Sequence, residues 1–358
     1  MSKQHTTFFP GPSQLNANLG QYLQDAVESG ILSASHRSKA FDALSAETVA
    51  LLHDRLAIPA DYRIYYTTSA TESWEIIPQS LTERGGLHVY TGSFGQKWSE
   101  YAQKIRPEST GLQYAVNDSI DWANLPLTDS HELICITQNE TSNGTQVNAE
   151  TIKQIRSLYP DLLLAVDVTS SINGISLPFA DADIWYGSVQ KCFGMPAGLG
   201  LLICSPRALA RAQSIGDRKH YNSLLVLEDN MAKFQTTCTP NVLGIYLLNR
   251  ILTTSPNVLD LQDTIMKRAN QLYQLLDDAT AGISPLVTNS SNRSTTVQAI
   301  SCEPELMVKL KSEASEAGFL LGNGYGKWKE STFRVANFPA ISETAWQQMI
   351  DFLSVRIA

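Results

Sequence analysis

The chain has 358 residues, 43% hydrophobic and 17% charged, with a formal net charge of −8. That length exceeds what one core usually fills, roughly 250–300 residues, so a large unit with a smaller companion is expected. The composition excludes disorder, and the acidic balance excludes broad attraction to nucleic acid or an anionic membrane while leaving room for a local basic pocket.

The opening residues, Met1-Ser2-Lys3-Gln4-His5, lead into no apolar signal core. No run of about 18 apolar residues follows. Five cysteines, Cys135, Cys192, Cys204, Cys238 and Cys302, form no C-x-x-C pair. Neither a disulfide framework nor a metal site is therefore expected, and a reduced, cytoplasmic protein is the simplest reading.

Short apolar runs alternate with amphipathic stretches, the pattern of β-α units around a mostly parallel sheet. In chain order, strands are predicted over 63–66, 87–90, 133–137, 162–166, 184–187 and 199–204. Helices are predicted between them over 72–81, 97–104, 149–159 and 206–214, and another opens at Pro240 and runs to about residue 252. Thr253-Thr254-Ser255-Pro256-Asn257 reads as a joint. Beyond it come a helix over 261–277, further strands, a helix over 306–317 and a closing helix over 343–355. This divides the chain into an N-terminal segment (1–15), which can pack with either unit, a large α/β unit (16–255) and a smaller α+β unit (256–358).

Ligands of open parallel sheets gather beyond the carboxyl ends of the strands. Polar residues cluster at those ends here: Thr67-Thr68-Ser69-Ala70-Thr71, Thr91-Gly92-Ser93-Phe94, Gln138-Asn139-Glu140-Thr141, Asp167, and Ser188-Val189-Gln190-Lys191. A carboxylate closing a buried strand costs several kcal/mol to desolvate unless a cation or donors meet it. Asp167 can meet that need by capping a turn, and Lys191 taken alone can be a solvated surface charge. Together they permit more. A lysine at a strand exit among apolar groups has its ammonium destabilised and can act as a Schiff-base nucleophile. An acid on the adjacent strand fits a pyridinium nitrogen. Ala70 and Thr71, at the start of the helix near Glu72, offer backbone N–H groups to a phosphate, although Thr71 can equally be an ordinary N-cap. Phe94 offers an aromatic face, or is simply a core phenylalanine.

In their order, these motifs resemble the class V branch of the fold-type I pyridoxal-phosphate enzymes, most closely the phosphoserine aminotransferases. The resemblance is carried by Pro10-Gly11-Pro12, Ser35-His36-Arg37-Ser38-Lys39, Thr91-Gly92-Ser93-Phe94, Asn139-Glu140-Thr141 with Gly144, Asp167 with Ser170 and Ser171, Gln190-Lys191 through Gly198, and Arg334 before Asn337. It implies a large, mainly parallel α/β/α domain of the seven-stranded type followed by a smaller α+β domain. It also implies pyridoxal 5'-phosphate as cofactor, amino-acid and 2-oxo-acid substrates, a place in serine biosynthesis, and a homodimer that shares its active sites.

Carried over by position, Lys191 would bind the cofactor aldehyde and move the proton, Asp167 would pair with the ring nitrogen, and Thr141 would bond the phenolic oxygen. Phe94 would stack on the ring, where the family has tryptophan. Ala70, Thr71 and Gln190 would hold the phosphate, closed by Cys238-Thr239 from the other subunit, with Thr239 reaching across. His36, Arg37 and Arg334 would bind the substrate's anionic groups.

Two departures bear on the substrate. Pro10 replaces a serine, and the family's His-Arg pair falls at Lys327-Trp328, where Lys327 and Lys329 supply charge without the arginine fork. The alternatives are a class V enzyme acting on alanine or serine with glyoxylate or pyruvate, and a cysteine desulfurase. The last is disfavoured by Gln190 before Lys191 and by Cys302 at a strand end, where it reads as a packed thiol.

Overall fold

The structure, a computed structural model, describes residues 5–280 and 282–357; most of the opening segment read above, residues 1–4, lies outside them. Two sheets organise the chain. The larger has seven strands in the spatial order Arg63–Thr67, Gly200–Cys204, Ile184–Ser188, Leu163–Asp167, His131–Thr137, Gly85–Tyr90 and Thr110–Gln113. Neighbours pair in parallel except at Gly200–Cys204, which is antiparallel to both of its partners. Leu163–Asp167, Ile184–Ser188 and Gly200–Cys204 are buried at every residue. Strands covered on both faces read as near-continuous apolar runs, which is why the sequence marks them clearly.

Helices complete this layer by burying one apolar face. Ala149–Leu158 turns Ile152 and Ile155 inward, and Asn148 caps it by accepting the Thr151 N–H at 2.8 Å. The predicted joint is a break between two helices, Val242–Thr254 and Val258–Asp277. Asn257 starts the second by accepting the N–H groups of Leu259 and Asp260.

The smaller sheet has five strands in the order Thr6–Phe8, Phe319–Asn323, Thr332–Ala336, Val297–Cys302 and Ile283–Pro285. Its apolar core includes Phe8, Phe319, Phe333 and Trp346 and is separate from the larger one. The N-terminal segment joins this sheet: Thr6–Phe8 pairs in parallel with Phe319–Leu321.

Several boundaries differ from expectation. The helix expected at Pro240 begins at Val242, because the Asn241 side chain accepts the Gly244 N–H at 2.9 Å. The helix expected over 72–81 is preceded by a separate 3-10 turn, Ala70–Glu72, and starts at Ser73. The helix expected over 97–104 starts at Ser93, which places Phe94 in its first turn. Three helices escaped prediction: Leu19–Glu28, Lys39–Leu56 and Leu224–Met231. In Lys39–Leu56 the polar Ser45 and Thr48 occupy the buried face and interrupt the apolar spacing. Among the described residues, no helix is long and apolar enough to cross a membrane.

Candidate active site

Asp167 ends its strand directly opposite Tyr186 of the neighbouring parallel strand. Its carboxylate is 5% exposed and is met by donors: the Thr169 N–H at 2.8 Å on Oδ1 and the Tyr186 hydroxyl at 3.1 Å on Oδ2. The Trp74 indole N–H donates to the Tyr186 oxygen at 3.0 Å. Burial raises the Asp167 pKa above the ordinary carboxyl range, against the pull of these hydrogen bonds and of Lys191.

Lys191 follows the strand Ile184–Ser188 and is 6% exposed. Its Nζ donates to Thr141 Oγ1 at 2.7 Å and to Ser170 Oγ at 2.8 Å. Burial lowers the ammonium pKa to about 8, although the charges of Asp167 and Glu140 act in the opposite sense. The N-terminal segment lies across this side chain. A Cβ on Gly11, whose φ is +147°, would come within 2.9 Å of Lys191 Cε, so the motif needs glycine there. The segment is anchored by the Ser13 N–H on the Gln190 carbonyl and the Asn16 N–H on that of Gly194.

Arg334 reaches the same place from the smaller sheet. Its Nε donates to the Asn323 carbonyl and its Nη1 to the Thr141 carbonyl, both at 2.7 Å. Burial lowers its pKa to about 10. Phe94 and Tyr325 stack with ring centroids 5.1 Å apart and planes 22° apart, and Lys97 Nζ donates to the Tyr325 oxygen at 2.9 Å.

These groups enclose a cavity of about 280 Å³. Ala70, Thr71, Phe94, Thr141, Asp167, Gln190, Lys191 and Arg334, expected from the sequence, all line it. Five other expected residues do not: His36, Arg37, Cys238, Thr239 and Lys327. Arg37 is exposed, and its Nη1 donates to Asn230 and Gln235 at 2.9 Å each. Cys238 and Thr239 are exposed ahead of the helix Val242–Thr254. Lys327 Nζ lies 4.7 Å from the Trp328 ring centre. One further expectation needs correction. The Ala70 N–H is not free for a phosphate, because it donates to Ser188 Oγ at 3.1 Å.

Sequence reasoning missed Trp74, Tyr186 and Tyr325, and it left Ser170 without a role. Ser170 stood in a recognised motif. Tyr186 carried no local signal, because sheet register alone brings it to Asp167.

The cavity suits pyridoxal phosphate. It offers an amine for an aldehyde, a carboxylate for a ring nitrogen, a hydroxyl for a phenolic oxygen and an aromatic face. Thr71, Thr137 and Thr169 add polar residues to its lining.

Comparison with known proteins agrees. Residues 10–312 match the family model described as Aminotransferase class-V. A phosphoserine aminotransferase of Rhodococcus opacus is 30% identical over 348 residues, covering 92% of this chain and 89% of that protein. A solved phosphoserine aminotransferase from Cytophaga hutchinsonii superposes with a TM-score of 0.93 at 29% identity, covering 99% of this chain and 100% of that one. Another, from Bacillus circulans, gives 0.84 at 20% identity and covers 99% of each chain. The chain belongs to the class V aminotransferase family and is a pyridoxal-phosphate-dependent aminotransferase. The three relatives described are all phosphoserine aminotransferases.

Proposed function

We propose that this chain transfers the amino group of glutamate to 3-phosphohydroxypyruvate, giving 3-phosphoserine and 2-oxoglutarate, a step of serine biosynthesis. The observation that carries the proposal is the buried Lys191 amine facing one cavity with Asp167 and Arg334. Relatives of the same activity support the substrate.

When bound, the cofactor supplies an electron sink for the pair left at the substrate α-carbon. The protein's share is to place and move charge. Lys191 Nζ, as free base, would take the proton from the substrate α-carbon and hold it for return. Thr141 and Ser170 already accept from that nitrogen and hold it in place. Asp167, fixed by Tyr186 and Thr169, would keep the ring nitrogen protonated. Arg334 would orient the substrate carboxylate. Thr71 and Gln190 would hold the cofactor phosphate, and Phe94 would cover the ring.

His36, Arg37, Cys238 and Thr239 lie away from the cavity of their own chain, and a homodimer in which they serve the partner's site accounts for them. Lys327 stands in the 3-10 turn Gly326–Trp328 after Tyr325 and would add charge for the substrate phosphate. The division at 255/256 and a cytoplasmic setting complete the proposal.

Half-reactions test the substrate. Phosphoserine and glutamate should each bleach the visible band of the holoenzyme, and serine and alanine should do so at least about a hundredfold less efficiently, ~2.7 kcal/mol. Equal bleaching by serine or alanine would instead favour an unphosphorylated substrate.

A further inference from the structure

Asn139-Glu140-Thr141 supplies Thr141 to the cavity, while its central residue has no assigned part. Glu140 is 0% exposed and lies in a short hairpin with Thr145–Gln146. Its Oε2 accepts the N–H groups of Phe94 and Gly95, both at 3.1 Å. Its Oε1 accepts the Ser142 N–H at 2.9 Å and the Ser142 hydroxyl at 2.7 Å. Ser142 Oγ in turn accepts the Ser93 N–H at 3.0 Å. Burial raises the Glu140 pKa, while the hydrogen bonds from Ser142 and Gly95 lower it; a proton on either carboxyl oxygen would displace a donor, so the geometry suits the ionised form.

The helix Ser93–Ile105 therefore begins without a cap of its own. Gly92, at the N-cap, has no side chain, and its three leading N–H groups are held by a segment far along the chain. Gly92 also has to be glycine, since a Cβ there would come within 2.7 Å of Glu140 Cδ. A buried carboxylate is an expensive cap, costing several kcal/mol in desolvation. Charge-assisted hydrogen bonds and the positive helix end offset that cost. A serine would cap the helix more cheaply. What the carboxylate adds is a fixed Phe94 backbone and a negative charge beside two cations, since it favours the charged forms of Lys191 and Arg334.

We infer that Glu140 is a positioning residue for the cofactor: through the Phe94 and Gly95 amides it sets the plane in which the Phe94 ring meets the cofactor ring. The inference rests on the aminotransferase reading of this cavity. The same ring is stacked by Tyr325, which also lines the cavity, so its tilt is held by a side-chain contact as well as by its backbone.

The test uses cofactor-free wild type, Glu140→Gln and Ser142→Ala, each titrated with pyridoxal phosphate while visible absorption and visible circular dichroism are followed. The glutamine amide would turn a donor toward backbone donors. Glu140→Gln should bind cofactor about tenfold more weakly, with a visible dichroic band reduced relative to absorbance. In the reconstituted variant kcat should fall while KM for the amino acid holds, because Phe94 faces the ring. Ser142→Ala should move affinity and dichroism in the same direction, roughly threefold in affinity. A folded Glu140→Gln that loses thermal stability yet keeps wild-type cofactor affinity and dichroism would overturn the inference and leave Glu140 a helix cap. If Glu140→Gln does not fold, an unchanged Ser142→Ala overturns it. A wild type that takes up no cofactor would defeat the aminotransferase reading itself, and this inference with it.

Discussion

Tyr186 donates its hydroxyl proton to Asp167 Oδ2 at 3.1 Å from the facing position of the adjacent parallel strand. The Tyr186 hydroxyl oxygen in turn accepts the Trp74 indole N–H. Tyr186 directly, and Trp74 through it, thus fix the carboxylate proposed to meet the cofactor ring.

Tyr186→Phe removes that donor and leaves the Trp74 N–H buried and unpaired. The expected cost is about 1–3 kcal/mol of stability, read from denaturant unfolding of the cofactor-free protein. The lost hydrogen bond lowered the Asp167 pKa, so the carboxyl should protonate at higher pH in the variant. The acid limb of the kcat–pH profile should move upward. A profile that stays in place would show that Tyr186 does not tune Asp167.

Burial sets the Lys191 amine near 8, against an ordinary 10.5. At pH 7 about one-tenth of it is then free base, compared with roughly one part in three thousand at the ordinary value. Colour development after pyridoxal phosphate is added to the cofactor-free protein should accelerate about tenfold per pH unit below 8 and level off above it. Lys191→Ala should develop no such band. The linkage has a definite sign. Between about 8 and 10.5 the unfolded chain binds more protons at this group, so its burial penalty is full below that window and fades as pH rises through it.

Arg334→Lys keeps a positive charge but loses the planar fork. KM for both amino-acid substrates should rise by about tenfold to a hundredfold while cofactor affinity stays within twofold. A matching loss of cofactor would mean that Arg334 chiefly supports Thr141, whose carbonyl it bonds.

Arg37 lies outside the cavity of its own chain. If it serves a partner's site, mixing and re-equilibrating Lys191→Ala with Arg37→Ala subunits should restore activity, up to roughly a quarter of wild type, because half of the dimers are mixed and each holds one intact site. No recovery from subunits shown to exchange would confine Arg37 to its own chain.

The sequence made the central strands and, within the cavity lining, Asp167 and Lys191 legible because both signals are local. Leu163–Asp167 is an apolar run that ends in one acid, and Lys191 stands in a glycine-rich return. Tyr186 was illegible because a register between separate strands selects it. Phe94 was assigned to the ring, but its helix start was missed, since the caps come from Glu140 and Ser142 well beyond the helix. Lys39–Leu56 was hidden by Ser45 and Thr48 on its inner face. Arg37, Thr239 and Lys327 were chosen by resemblance, and the single chain does not bring them to the cavity.

Thr6–Phe8 finds its partner strand only at Phe319–Leu321, so this strand must wait for a segment far along the chain before it can pair. Gly11, lying over the lysine, sits between that strand and the anchors at Ser13 and Asn16. Closure of so long a loop is slow and comes late in folding. A chain cut before Phe319 would hold Asp167 and Lys191 on a formed sheet with the strap across them pinned only through Ser13 and Asn16, its leading strand left unpaired.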